Sequence, residues 1–245
     1  MARPSAPHPG AFPSTRLRRT RTDAPTRRLV AEHRLSPDDF IWPLFVAEAD
    51  DAGPIASMPG GERHTLDGLL RQGEAALAAG IDFDVLFPFV DASLKTEDCR
   101  EAVDPDNLVC RAVRHLKARF PELGVLCDVA LDPFNATGHD GLVRDGRILN
   151  DESVAVLVQQ TLIQAEAGCD ILGPSDMMDG RVGAMRRALD GKGFQDVKIA
   201  SYAVKYASAF YGPFRDACDS ARALKGGKKT YQTDPASSDA APREA

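Results

Sequence analysis

Along most of this chain, short apolar runs closed by turn residues alternate with segments whose apolar residues recur at helical spacing. That alternation restricts the fold more than any other feature, because strands separated by helices must join a parallel sheet. Residues 40–46 (FIWPLFV) form an apolar run suited to a buried parallel strand, with Pro43 as its one blemish. Strands are also expected over 81–87, 125–131, 169–172 and 197–204. Leu66, Leu69, Leu70 and Leu77 lie on one helical face, with Gly80 as a natural cap. Leu108, Val109, Ala112, Val113, Leu116 and Phe120 mark a second helix, followed by Pro121. Residues 151–167 mark a third, opened by acids and closed by Gly168, and 177–189 a fourth. No G-x-G-x-x-G follows the first strand, which disfavours a dinucleotide fold. The expectation is a TIM-type (β/α)8 barrel with elaborated loops, of which about five of the eight strand–helix units are present. In such barrels the chemistry gathers at the C-terminal ends of the strands.

The last expected strand runs into VKIASYAVKYASAFYGPFR, residues 197–215. Lys205 stands among Ala203, Val204, Tyr206, Ala207, Ala209 and Phe210. A lysine sunk in apolar neighbours loses charge readily, so its pKa is expected to fall and its free amine could attack a ketone. Tyr211 and Phe214 flank a turn, and Arg215 offers a planar fork for a carboxylate. An amine for a carbonyl and a guanidinium for an acid suit a small keto-acid. The plainer alternative is a snorkelling lysine and an arginine that begins a solvated helix.

Residues 128–141 read DVALDPFNATGHDG. Asp128 and Asp132 are four apart around a strand end and point to one side if the strand holds, and the glycines let the loop return Asp140 toward them. Three converging carboxylates would suit a hard cation such as Mg²⁺, whereas structural zinc wants cysteine or histidine. The alternative is turn and cap residues. Ser175, in PSDMMDG, is expected to cap the following helix and could offer a hydroxyl at the strand mouth. Lys228, Lys229 and Gln232, in GGKKTYQTDP, look like a mobile basic flap able to close on a carboxylate, or else an exposed polar loop.

Residues 1–28 differ from the rest. They are rich in proline, serine and arginine, with Asp23 the only acid, and they hold Arg16, Arg18, Arg19, Arg21, Arg27 and Arg28. The readings are a solvated tail, a transit peptide, or an arm packed on a partner subunit, with residues 29–245 as the catalytic domain. The net charge of −6 over 245 residues argues against a nucleic-acid binder, and a basic arm alone does not overturn that. The five cysteines show no C-x-x-C pair and no zinc spacing, as expected of reduced thiols in a cytoplasmic protein. No apolar run approaches membrane-spanning length.

Taken together, SMPGGERHTLD, DVALDPFNATGHDG, GRILNDE, PSDMMDGR, KYASAFYGPFRDA and KKTYQTDP resemble porphobilinogen synthase, also called 5-aminolevulinic acid dehydratase, from about Arg16 onward. The resemblance implies a TIM barrel with an N-terminal arm that embraces a neighbouring subunit, commonly in homo-octamers. It implies a lyase that condenses two molecules of 5-aminolevulinate to porphobilinogen with loss of two waters, in tetrapyrrole and heme biosynthesis. Lys205 matches the first of two Schiff-base lysines. Tyr211, Phe214, Arg215, Lys228 and Gln232 match substrate contacts, and Asp128 and Ser175 match active-site positions. The family's zinc-dependent branch has three cysteines where this chain has Ala130, Asp132 and Asp140. The chain therefore resembles the aspartate-rich branch, which implies Mg²⁺ or a monovalent cation and no catalytic zinc. Glu244 falls where the family has an allosteric Mg²⁺ ligand. The family's second lysine, in a motif like MVKPxxxYLD, the later serine and tyrosine for the second substrate, and the last three strands have no counterpart. Thr137 stands where the family often has histidine, and Pro242 lies in a helix that the family continues. The alternative is a non-catalytic relative that associates with intact synthase subunits.

Overall fold

The structure is a computed structural model that describes residues 10–218, 224 and 226–245. The chain forms two compact units that divide between Ser36 and Pro37. In the first, a 3₁₀ turn over Leu17–Arg21 precedes a short helix, α1 (Ala24–Leu29). Asp23 caps that helix, its Oδ1 accepting from the Thr26 amide at 2.8 Å. The arm-like segment is therefore not extended throughout.

In the second unit the elements follow in the order β1 (Ile41–Val46), β2 (Gly53–Pro54), β3 (Glu62–His64), α2 (Leu66–Ala78), β4 (Phe83–Pro88), α3 (Leu108–Arg119), β5 (Gly124–Val129), β6 (Leu142–Arg144), β7 (Arg147–Leu149), α4 (Asn150–Ala167), β8 (Ile171–Pro174), α5 (Arg181–Gly191), β9 (Lys198–Ile199), α6 (Gly212–Ala217) and α7 (Ala241–Glu244). Seven strands make one sheet in the order β2-β3-β1-β4-β5-β8-β9, and β6 and β7 pair as a hairpin. Every pairing in the large sheet is parallel except that of β2 with β3. Pro43 is tolerated because β3 pairs with β1 only at Phe45 and Val46, so on that side no ladder bond is asked of it.

The period of two sorts the strand residues onto two faces. Leu44, Val46, Leu86, Val125, Cys127, Val129 and Leu172 pack under α2, α3 and α4 in the main core. Phe45, Val85, Phe87 and Leu126 face the other way and meet Phe214 and Ala217 of α6. Asp128 belongs to this second face, two residues beyond Leu126. The five cysteines are buried and free.

The short strands β2, β3, β6 and β7 were not expected from the sequence, and two of the expected elements differ in extent. The helix expected from residue 177 begins at Arg181, with Gly180 as its N-cap, so Ser175 does not cap it. The intervening loop is taken up by Asp176, whose side chain captures the Met178 amide at 2.8 Å, while Met177 adopts φ +67°. The fifth strand, expected over 197–204, is paired only at Lys198 and Ile199. Its backbone continues to bond β8 as far as Tyr202, whose amide donates to Pro174 O at 3.2 Å. No strand pairs with its outer side among the described residues.

Candidate active site

The strand ends carry a buried charge cluster. Asp128 is the penultimate residue of β5, on the face of Leu126, Asp132 follows on the loop, and Asp140 returns at that loop's far end. Asn135 shapes the return: its Nδ2 donates to Gly141 O at 2.9 Å, and its Oδ1 accepts from the Thr137 amide at 2.8 Å. Two glutamines of α4 hold the stem from behind, Gln164 Nε2 donating to Asp128 O and Gln160 Nε2 to Ala130 O, each at 3.1 Å.

Lys205 enters from beyond β9 and is buried. Its Nζ donates to Ser175 O at 2.9 Å, stands 3.4 Å from Asp140 Oδ1, and lies 5.6 Å from the centroid of the Tyr211 ring. Lys228, also buried, places Nζ 2.8 Å from Asp140 Oδ2 and 3.1 Å from Asp132 Oδ2. The flap that carries it is stitched to the lysine strand: the Thr233 amide donates to Lys205 O at 2.9 Å, and the Ala207 amide to Thr233 O at 3.0 Å. Tyr231 reaches back, its hydroxyl accepting from the Asp140 amide at 3.3 Å and lying 3.1 Å from His139 Nδ1.

The electrostatics reverse one expectation. Burial by itself works against charge on Lys205, but the carboxylates of Asp140, Asp132 and Asp128 outweigh it and hold the ammonium above the ordinary lysine range. The sequence neighbours of Lys205 are apolar, and the groups that decide its charge come from β5 and the loop after it. Lys228 is likewise raised, burial opposing and Asp132 and Asp140 prevailing. Burial would raise Asp140, but the two lysines hold it below the usual carboxylate range. Burial pushes Asp128 up to about 7, against the pull of the Lys205 ammonium.

Asp128, Asp132, Ser175, Lys205, Tyr211 and Phe214 line a cavity of about 280 Å³, with Phe45, Phe87 and Met58 as its apolar wall. That is near the lower end of small-molecule pockets and suits a metabolite. Phe214 packs edge-on against Phe87 with centroids 5.0 Å apart. Arg215 sits beside it on α6, half-buried, and does not line this cavity; Gln232 lines a separate cleft with Ala207, Lys229 and Asp234. Sequence reasoning missed Arg63, which fixes α6 by donating to Ala217 O at 2.8 Å and Asp216 O at 2.7 Å. It also missed Asp176, Arg181 and Tyr231. The one signal was that all four lie within the motifs already singled out.

The structure brings Asp132 and Asp140 together, but on an ammonium. Their oxygens are in contact with Lys228, so as arranged they make no cage for a cation, and no group of three or more metal-ligating side chains stands ready among the described residues. Glu244 stands apart from them and accepts from Thr233 Oγ1 at 3.1 Å.

The model of the delta-aminolevulinic acid dehydratase family matches residues 14–245. The enzyme of that name from Bradyrhizobium diazoefficiens is 56% identical over 241 residues, covering 98% of this chain and 68% of its own length. A chloroplastic one from Physcomitrium patens is 50% identical, covering 96% and 56%. The crystal structure of delta-aminolevulinic acid dehydratase (porphobilinogen synthase) from Toxoplasma gondii, in complex with the reaction product porphobilinogen, superposes with a TM-score of 0.91 at 46% identity. It covers 94% of this chain and 66% of that one. The chain thus spans between 56% and 68% of the length of these relatives. Its parallel sheet flanked by helices is part of a TIM barrel, and by sequence and fold alike the chain belongs to the delta-aminolevulinic acid dehydratase family.

Proposed function

We propose that this chain carries the lysine chemistry of porphobilinogen synthase: Lys205 forms a Schiff base with the ketone of 5-aminolevulinate, in a lyase reaction that condenses two such molecules to porphobilinogen with loss of two waters. The observation that carries the reading is a buried ammonium, ringed by carboxylates, at the mouth of a small cavity with aromatic walls. The first step balances without an external reagent. The Lys205 ammonium gives up a proton, the free amine adds to the carbonyl carbon, and the carbinolamine loses its oxygen as water on receiving that proton back. The product is a protonated imine with the same positive charge as the starting ammonium. The carboxylates that favour the ammonium therefore favour the iminium too. Asp128 lines the same cavity and, with its carboxyl up at about 7, is suited to hold the travelling proton. The Ser175 hydroxyl can orient the carbinolamine oxygen. Lys228, with Arg215 and Gln232 once the flap closes, can anchor the substrate carboxylate while Tyr211 and Phe214 exclude water.

An Mg²⁺ or monovalent ion at Asp132 and Asp140 would require Lys228 to leave those oxygens, and Glu244 would hold an ion elsewhere. Equilibrium dialysis with Mg²⁺ alone, with and without levulinate, tests both sites. The same reading carries a homo-oligomer, an octamer in the family, built through residues 1–28, and a cytoplasmic location. The support for the oligomer is the exposure of the arginines at 16, 18, 19, 21, 27 and 28. Sedimentation of the chain with and without those residues tests the oligomer.

The deciding experiment is borohydride reduction in the presence of 5-aminolevulinate, followed by mass analysis of the peptides. A stable adduct on Lys205, absent from Lys205→Met, is the expected result. A folded sample without that adduct overturns the proposal.

A further inference from the structure

Asp176 and Arg181 do not line the cavity, yet they hold two of its parts together. Asp176 is fully buried and Arg181 nearly so. They form an ion pair with Arg181 Nε 3.3 Å from Asp176 Oδ2. The remaining contacts all go to the loop after β8 and to the segment beyond β9 that carries Lys205. Asp176 Oδ1 accepts from the Met178 amide at 2.8 Å. Arg181 Nη1 donates to Met178 O at 3.1 Å, and Nη2 to Tyr202 O at 3.0 Å, with Met177 Sδ 3.6 Å away. Tyr202 precedes Lys205 by three residues, and Asp176 directly follows Ser175, whose carbonyl accepts from Lys205 Nζ at 2.9 Å. Met177 lies between these anchors in the left-handed region at φ +67°, a conformation that a methionine keeps only where its surroundings over-determine it.

We propose that the Asp176–Arg181 pair positions Lys205, by locking the loop after β8 to the segment that carries the lysine and so setting the Ser175 carbonyl against the lysine nitrogen. The inference rests on the reading of Lys205 as the Schiff-base lysine. A pair kept only for stability would be a weak device, because two buried charges gain little over well-packed apolar residues. A guanidinium whose donors are directed at carbonyls of two separate segments does something that an apolar pair cannot. It ties their relative position, on which near-attack geometry depends.

The test uses the whole chain, 5-aminolevulinate and borohydride, and measures both the limiting rate of adduct formation on Lys205 and the half-saturating substrate concentration. Asp176→Leu/Arg181→Met removes both charges together and is expected to fold, judged by circular dichroism and the urea midpoint. Its limiting rate is expected to fall on the order of tenfold or more, with the half-saturating concentration within about twofold of the parent. Arg181→Lys keeps a buried charge opposite Asp176 but loses the fork. It is expected to slow adduct formation similarly, which a purely structural ion pair would not do. Adduct formation at the parent rate in either folded variant overturns the inference and leaves the Schiff-base reading intact. Absence of an adduct in the parent chain overturns that reading and the positioning role with it.

Discussion

Asp140 shares its carboxylate between two buried lysines, and the oxygen that faces Lys205 Nζ lies 3.4 Å from it. This contact explains how an ammonium can persist at a site walled by Phe45, Phe87, Tyr211 and Phe214. The charge is desolvated, and the carboxylates more than compensate. Reactivity at Lys205 then depends on moving a proton to a neighbour rather than on an amine that is neutral at rest, which distinguishes this pocket from the simple case of a lysine buried in oil.

The cluster behaves as a unit. Lys228→Met leaves Asp132 and Asp140 buried with one ammonium between them, and the expected cost is about 3 kcal/mol in urea unfolding at pH 7. Adding Asp132→Asn restores at least ~1 kcal/mol relative to the sum of the single changes. Strict additivity in that cycle would mean that the contacts at 2.8 and 3.1 Å carry no coupling.

Asp84 is expected to contribute a pH dependence remote from the site. It lies in the middle of the sheet, fully buried, with neither carboxyl oxygen hydrogen-bonded, and burial pushes its carboxyl up to about 7. A carboxyl raised on folding binds its proton more tightly in the native state, so its contribution to stability falls as pH rises from about 4 to about 7. Asp84→Asn is expected to flatten that decline, and Asp84→Leu to raise the thermal midpoint by several degrees at pH 8 but little at pH 4. Parallel pH profiles for parent and variants would rule out this role.

Arg63 supports the aromatic wall from outside. Arg63→Ala removes both donors from the last carbonyls of α6 and the contact with the Phe89 ring, whose centroid lies 4.4 Å from the guanidinium. The expected loss is about 1–3 kcal/mol of stability and a several-fold weaker hold on levulinate by calorimetry, because Phe214 sits on the freed helix. Unchanged affinity would mean that Arg63 serves stability alone.

Gly124 marks a steric limit at the start of β5. A Cβ there would stand 2.2 Å from the Phe83 ring. Gly124→Ala is expected to cost about 1–3 kcal/mol, and Phe83→Leu in the same chain to recover part of it. The readout is the urea midpoint of the two variants. Equal midpoints for the single and double variants would show that the strand relieves the clash by another route.

Much of the fold was legible because it depends on local periodicity. The apolar runs became β1, β4, β5 and β8 within a few residues, and Gly80 and Gly168 end their helices at φ +76° and +103°. The fifth strand was overextended, since an alternating apolar pattern does not reveal whether a second partner strand lies alongside. The start of α5 was misplaced because Asp176 bonds the Met178 amide, a capture that no helical pattern contains. At the site, Lys205, Asp128, Asp132 and Asp140 stood out as residue types in motifs, and the structure gathers them. Arg215 and Gln232 were named in the same way and Glu244 from the family resemblance, and all three lie outside the cavity and the charge cluster.

The sequence by itself determined the order of the main strands and helices, the parallel sheet they form and the family, because these follow from period, turn residues and long ordered motifs. Tertiary structure alone decided the charge of Lys205 and the partners of the acids. A pKa is set by the groups within a few ångströms in space, and here the groups that matter lie 65 residues away in the chain from Lys205 and 96 from Lys228. The sequence surrounded that lysine with apolar neighbours and predicted a free amine. The fold surrounds it with carboxylates and keeps it an ammonium.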